Sequence, residues 1–301
     1  MTTAIDSASR RIEAAFGAIG LRGRLHAVEL ASGRELAVRA DEPVVLASVF
    51  KVALVTALYR RHDAGELDLT RQVEVGARTG GATGIAAMHD PARLSLRDLA
   101  YLAVAVSDNA AADVLFDAVG DAAVAALLRE LGLGATRIPQ RCRDMAEALV
   151  ADTGAASVDG VQARLQADPR LLAALSVRDP ARTNAGTARD MTTLLAAIWQ
   201  DRAAAPESCA AVRRLMRLQV WPHRLASGFP DDDCGVAGKT GTLPGIRNEI
   251  GVVEHADGQG VAVAVFTSSD SPAASLPQAD RVVGTVARIA VDALRMGAGT
   301  G

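Results

Sequence analysis

Aromatic residues are scarce: two Trp, two Tyr and five Phe make up 3% of the 301 positions. Nucleic-acid stacking platforms need aromatic faces beside positive charge. Charge of that sign is not in excess either, with 32 Lys and Arg against 35 Asp and Glu for a net charge of −3. No nucleic-acid partner is therefore expected. Cysteine is equally thin. Cys142, Cys209 and Cys234 are odd in number and widely spaced, with no CxxC, which excludes a zinc knuckle, a thioredoxin-type pair and a disulfide scaffold. The five histidines (His26, His62, His89, His223 and His255) lack metal-ligand spacing. Neither metal nor cofactor is expected. Gly76 to Gly84 is a Gly/Thr-rich loop without the Gly-Lys-Ser/Thr ending of a phosphate-binding loop. The longest apolar stretch, Val44 to Tyr59, contains Lys51 and is too short to span a bilayer. Glu13 interrupts the only segment resembling a secretory leader. These absences predict a cytoplasmic globular protein with no membrane contact. They leave its oligomeric state open.

What is present is a chain 50% hydrophobic and 22% charged, long enough to bury a large core. Ser7 to Ile19 has the pattern of an amphipathic helix. Leu21 to Leu30 and Glu35 to Arg39 alternate around Ser32-Gly33 as a hairpin does. Ser48 to His62, closed by Gly65, reads as a helix whose apolar residues surround its axis, the mark of a buried element. Further helices are predicted from a capping box at Ser95 through Val106, over Asn109 to Val119 and Ala122 to Leu131, from a cap at Thr187 to Gln200, and over Ser208 to Leu218. Arg141 to Arg182 is ambiguous, with helical pieces broken by Asp, Gly and Pro. Beyond Gly235 the period turns strand-like, over Val236 to Thr242, Ile246 to Val253 and Val261 to Ser268, and Ala279 to Met296 closes as a helix. Asp231 to Asp233 reads as a solvated turn. Strands at both ends and helices between predict an α/β (α+β) fold. Residues 1–46 and 206–301 supply an antiparallel sheet flanked by helices, and 47–205 form an all-helical lobe.

Three short motifs follow one another: Ser48-Val-Phe-Lys51, Ser107-Asp-Asn109 and Lys239-Thr-Gly241. Each alone has a plain reading. Ser48 suits a helix N-cap, Lys51 a snorkelling lysine, Ser107-Asp-Asn109 a cap, and Lys239-Thr240 an exposed strand pair. Taken together they describe chemistry. A serine hydroxyl is a weak nucleophile until a base takes its proton. Residues three apart share a helix face, and an apolar environment lowers a lysine pKa enough for a neutral amine to act as that base. The helix start favours developing negative charge.

In order and spacing the set resembles the class A β-lactamases and penicillin-binding proteins over nearly the whole chain. The likeness extends to Ser107-Asp-Asn-Ala-Ala-Ala-Asp-Val-Leu and to Asp190-Met191 after a Thr cap. It implies a β-lactamase-like fold and a serine acyl-hydrolase acting on a lactam, amide or ester through a Ser48 acyl-enzyme. It further implies that Lys51 serves as base, that Ser107 relays a proton to the leaving nitrogen, and that Lys239 adds positive field. Asn109, Thr240, Gly241, Thr242 and Arg247 would then face the substrate. The backbone N–H groups of Ser48 and Thr242 would form the oxyanion hole, with Arg247 as second carboxylate anchor.

The family's Glu-x-x-Leu-Asn segment, whose glutamate holds the deacylating water, is missing. Its place falls near Cys142, with Asp144 and Glu147 the nearest acids. Three alternatives follow: a D,D-peptidase of the penicillin-binding type, a cytoplasmic biosynthetic or detoxifying hydrolase, and a sensor that stays acylated.

Overall fold

The computed structural model describes residues 4–76, 83–230 and 234–296. Most of the Gly76–Gly84 loop and the Asp231–Asp233 turn lie outside the described residues. In chain order the first elements are α1 (Ala4–Gly17), β1 (Arg22–Glu29), β2 (Glu35–Val38), β3 (Val44–Val45), α2 (Lys51–Asp63), β4 (Gln72–Val75) and β5 (Ala92–Ser95). Then come α3 (Leu96–Tyr101), α4 (Asn109–Val119), α5 (Asp121–Glu130), α6 (Cys142–Thr153), α7 (Val158–Ala167), α8 (Leu171–Ala174), β6 (Ala185–Gly186), α9 (Ala188–Trp199) and α10 (Pro206–Arg217). The chain returns to strands in β7 (Cys234–Leu243), β8 (Ile246–His255) and β9 (Gly260–Ser268), and ends in α11 (Pro277–Met296).

The main sheet has the order β2-β1-β9-β8-β7 and is antiparallel throughout. This is the mixed α/β architecture that strands at both ends predict. One face packs on α1 and α11, whose buried residues recur at three and four positions (Ile12 and Phe16; Val282, Val283, Val286, Ala290 and Leu294). The other face meets the helices of the middle of the chain, where a larger core surrounds α2. Every α2 residue from Lys51 to Tyr59 is buried. Each large apolar side chain sealed there contributes about 1.5–3 kcal/mol, and that sum is what allows one amine to be carried inside with them. Helix α10 packs on α2, α9 and β7 alike. Among the described residues no helix is long and apolar enough to cross a membrane.

Local chemistry sets the ends of the elements. Ser95 accepts from the Asp98 N–H, and Thr187 from the Asp190 N–H, as their capping patterns predict. The stretch 47–205, expected to be all-helical, carries β4 paired with β5, and β6 paired with β3, because short extended runs there find strand partners. Two helices also differ from the pattern. The helix expected from Ser48 opens as a 3-10 turn, Ala47–Phe50, because Ala47 has φ +49° and cannot enter a regular helix. The helix expected through Val106 is α only to Tyr101 and closes as one π-turn, Leu102–Val106. It ends at Ser107, whose φ of +69° turns the chain sharply. The ambiguous stretch from Arg141 resolves into α6, α7 and α8.

Candidate active site

The turn carrying Ser48 sits against β7 because Gly241 lets it. A Cβ at Gly241 would lie 2.6 Å from the Leu46 carbonyl oxygen and 3.2 Å from the Ala47 Cβ. Ala47 and Ser107, on opposite sides of the site, are two of the four described non-glycine residues with positive φ. Such conformations cost on the order of 1–3 kcal/mol and persist where surrounding contacts fix them.

Lys51 is completely buried, and its Nζ donates to the Ser107 carbonyl (2.8 Å), the Asp108 carbonyl (3.1 Å) and Asn109 Oδ1 (2.8 Å). Burial lowers its pKa. Asp108 keeps this turn in place. It caps α4 by accepting from the Ala111 N–H at 3.0 Å and also accepts from the Ile85 N–H. Lys239, equally buried, donates to Ser107 Oγ (2.8 Å) and to the Thr240 carbonyl (2.9 Å). Its pKa is driven well down by burial and then by the nearby Lys51, with Glu249 opposing.

Ser48, Asn109, Thr242 and Arg247 line one cavity of about 310 Å³. Ser48 is half-buried on its wall. Lys51, Lys239, Thr240 and Gly241 stand buried behind that wall. Ser107 is brought to both lysines. Arg247, 5% exposed, turns its guanidinium to the carbonyls of Leu243 (3.1 Å), Ile246 (2.8 Å) and Ala274 (2.6 Å).

Cys142, the first residue of α6, lines the cavity on the far side. The Asp113 carboxylate anchors it there, accepting from the Cys142 N–H (2.6 Å) and the Arg143 N–H (3.0 Å). Burial pushes the Cys142 thiol up to about 11, while the Lys51 amine pulls the other way. Neither Asp144 nor Glu147 reaches the cavity: Asp144 accepts from the Arg141 N–H at the start of α6, and Glu147 is exposed. No carboxylate is among the described residues that line it.

Three residues at this site carried no sequence signal. Arg224, 3% exposed, donates to Asp280 (2.7 Å), the carbonyls of Gly241 (3.1 Å) and Asn248 (2.8 Å), and Thr242 Oγ1 (2.8 Å). The turn carrying it passes α11 at Gly284, where a Cβ would come within 2.5 Å of the Arg224 carbonyl oxygen. Gln219 and the buried Glu249 bond to each other at 2.6 Å beside Thr240. A buried arginine or glutamate and a half-buried glutamine have no periodic pattern to announce them.

With a buried lysine beneath a serine and a second lysine on another hydroxyl, the arrangement is that of a serine hydrolase of the β-lactamase type. The comparisons agree. The chain matches the model of the β-lactamase enzyme family over residues 7–294 and belongs to that family. It is 37% identical to a protein of Streptomyces cacaoi named β-lactamase regulatory protein BlaB, over 96% of this chain and 98% of that one. A β-lactamase from Sphaerobacter thermophilus is 26% identical and superposes with a TM-score of 0.78 over 96% of this chain and 97% of its own. PBP-A, 21% identical, shares the fold with a TM-score of 0.76 over 96% of each chain.

Proposed function

We propose that the protein takes the acyl group of a small lactam, amide or ester onto Ser48 and gives it up to water slowly. The observation that carries this is the fully buried Lys51, bonded through Ser107 and Asn109 to the turn that also meets Lys239. An ammonium there spends all three N–H groups. The neutral amine favoured by burial keeps two of those bonds and turns its lone pair to the Ser48 hydroxyl. The Ser48 proton passes to Lys51 as Oγ attacks the carbonyl carbon. When the C–N bond breaks, Ser107 gives its proton to the leaving nitrogen and takes one in turn across its 2.8 Å contact with Lys239 Nζ, so that no alkoxide is left. The N–H groups of Ser48 and Thr242 receive the oxyanion, each worth about 3 kcal/mol of barrier. Asn109 Nδ2 and Thr242 face the substrate, and Thr240 supports them from behind the cavity wall. Arg224 and Arg247 share the positive field, Arg224 through its bond to Thr242 Oγ1. The active site lies between a lobe of residues 47–205 and one of 1–46 with 206–301.

Slow release is the reading favoured by the cavity wall around Cys142. No lining carboxylate is present to activate water, and a thiol pushed up to about 11 stays protonated near neutrality. The regulatory name of the Streptomyces cacaoi relative fits a protein that reports acylation. A D,D-peptidase would use the same acylating groups on a peptide and hand the acyl group to water, and a transpeptidase would hand it to an amine.

Intact-mass spectrometry after incubation with a penicillin tests this. The expected result is one adduct on the wild-type chain, persisting for many minutes, and none on Ser48→Ala. An adduct on Ser48→Ala overturns the assignment of the nucleophile. A chain that stays unmodified by a penicillin, a cephalosporin and an activated ester overturns the reaction. Rapid turnover of a chromogenic cephalosporin overturns slow release.

A further inference from the structure

We propose that Gln219 is a positioning residue that pins the strand carrying Lys239, while the two residues after it fasten the turn carrying Ser107. β7 is the edge of the sheet, and an edge strand has backbone groups with no neighbouring strand to pair with. The Thr240 N–H meets a side chain instead, donating to Gln219 Oε1 at 2.7 Å. The other end of the same amide, Nε2, donates to Glu249 Oε1 at 2.6 Å. Glu249 Oε2 accepts from the Leu225 N–H, also at 2.6 Å. Glu249 is 1% exposed, so each of these bonds replaces water that cannot reach it. Gly238 makes the room, since a Cβ there would stand 2.5 Å from Glu249 Oε1 and 2.7 Å from Gln219 Nε2.

The next two residues fasten the opposite side. The Val220 N–H donates to the Ala105 carbonyl at 3.1 Å, and Trp221 Nε1 donates to the Val106 carbonyl at 3.2 Å. Those carbonyls close the π-turn that presents Ser107. One short segment, 219–221, thus grips the strand carrying Lys239 and the turn carrying Ser107. The 2.8 Å contact between Lys239 Nζ and Ser107 Oγ spans the gap between them. Gln219 acts through these groups and touches no substrate.

The functional half of this inference rests on the acyl-enzyme reading; the structural half does not. Gln219→Leu removes both amide bonds. Gln219→Glu alone sets two carboxylates together, and Glu249→Gln alone leaves one amide end facing a donor. The double variant Gln219→Glu/Glu249→Gln restores all three hydrogen bonds, with donor and acceptor exchanged only in the one between the two side chains. The acylation rate constant with a penicillin should fall about 10- to 100-fold in Gln219→Leu and in each polar single variant, since misplacement of about 1 Å carries such a cost. The saturation constant should change less. The double variant should return to within about threefold of wild type. The Thr240 amide, followed by hydrogen exchange, should be protected in wild type and double variant and exchange at least about tenfold faster in Gln219→Leu.

A Gln219→Leu protein acylated at the wild-type rate overturns the proposal, as does a double variant no faster than its parents. If the wild-type chain forms no adduct at all, the acyl-enzyme reading fails. Thr240 exchange then still decides whether Gln219 pins the strand, and unchanged exchange in Gln219→Leu refutes it.

Discussion

On one side of the Ser48 cavity, Lys51 and Lys239 reach Asn109 and Ser107 through hydrogen bonds of 2.8 Å. Across it, α6 presents Cys142, Met145, Ala146 and Leu149. The first side is dense with donors whose burial has been compensated bond by bond. The second offers hydrocarbon and a thiol. Acylation needs a base for the hydroxyl and an acid for the leaving group, and both belong to the first side. Deacylation needs a base for water, which the second side lacks. Under the proposed reaction, the difference would equip acylation and leave deacylation without a base among the described residues.

The severest way to break the comparison is Lys51→Met, which keeps length and removes the amine. Acylation should slow by about 10²–10⁴-fold, the range for a lost general base, measured by stopped-flow quenching or timed mass spectra. In the wild type, burial lowers the Lys51 pKa, so the neutral base is more abundant at a given pH than for an exposed lysine. Acylation should therefore rise with pH through that lowered titration and flatten above it. A flat profile in the wild type would remove Lys51 from the role of base.

A sharper test furnishes the poor wall. Cys142→Glu places a carboxylate on the cavity side of α6, near Lys51. Release of the penicilloyl group should accelerate about 10- to 100-fold by general-base activation of water, while acylation slows at neutral pH because a carboxylate beside Lys51 favours its ammonium. An unchanged release rate would show that the water has no place to stand. The smallest effect concerns the thiol itself. Because burial pushes it up to about 11, Cys142 should react with iodoacetamide at pH 8 far more slowly in the folded chain than in denaturant, followed by peptide mapping. Equal rates would mean that α6 does not shield it.

The sequence made the reactive side readable because its residues break local rules. Lys51 is a charge on a helix with no polar face, and Ser107-Asp-Asn109 is a cap with one polar residue more than a cap needs. The antiparallel sheet was readable from alternation at both ends: β7, β8 and β9 run one to three residues beyond the pattern, and β1 and β2 fall one or two residues short of it. The fate of Arg247 was not. An arginine near a strand start looks exposed, yet here it bonds the carbonyls of Leu243 at the end of β7, Ile246 at the start of β8 and Ala274 in the loop after β9. Arg224, Gln219 and Glu249 were silent for the same reason. Their partners lie on other elements, and only tertiary packing brings a turn at 219–228 against β7, β8 and α11. The π-turn before Ser107 was unreadable because Leu-Ala-Val-Ala-Val suits a regular helix. It is the contacts with Val220 and Trp221 that accompany the wider turn.

The pairing of β1 with β9 sets Leu25 beside Val265. During translation, the hairpin of β1 and β2 leaves the ribosome with its inner edge bare and must wait for almost the entire remaining polypeptide. The helices around Ser48 emerge in the interval, so the hydroxyl that defines the protein is made long before the strand bearing Lys239 exists to complete its surroundings. A chain released before residue 260 would keep the nucleophile but lack the strand that β1 and β8 both require. Such a product would expose unpaired strand edges, which invite proteolysis or aggregation.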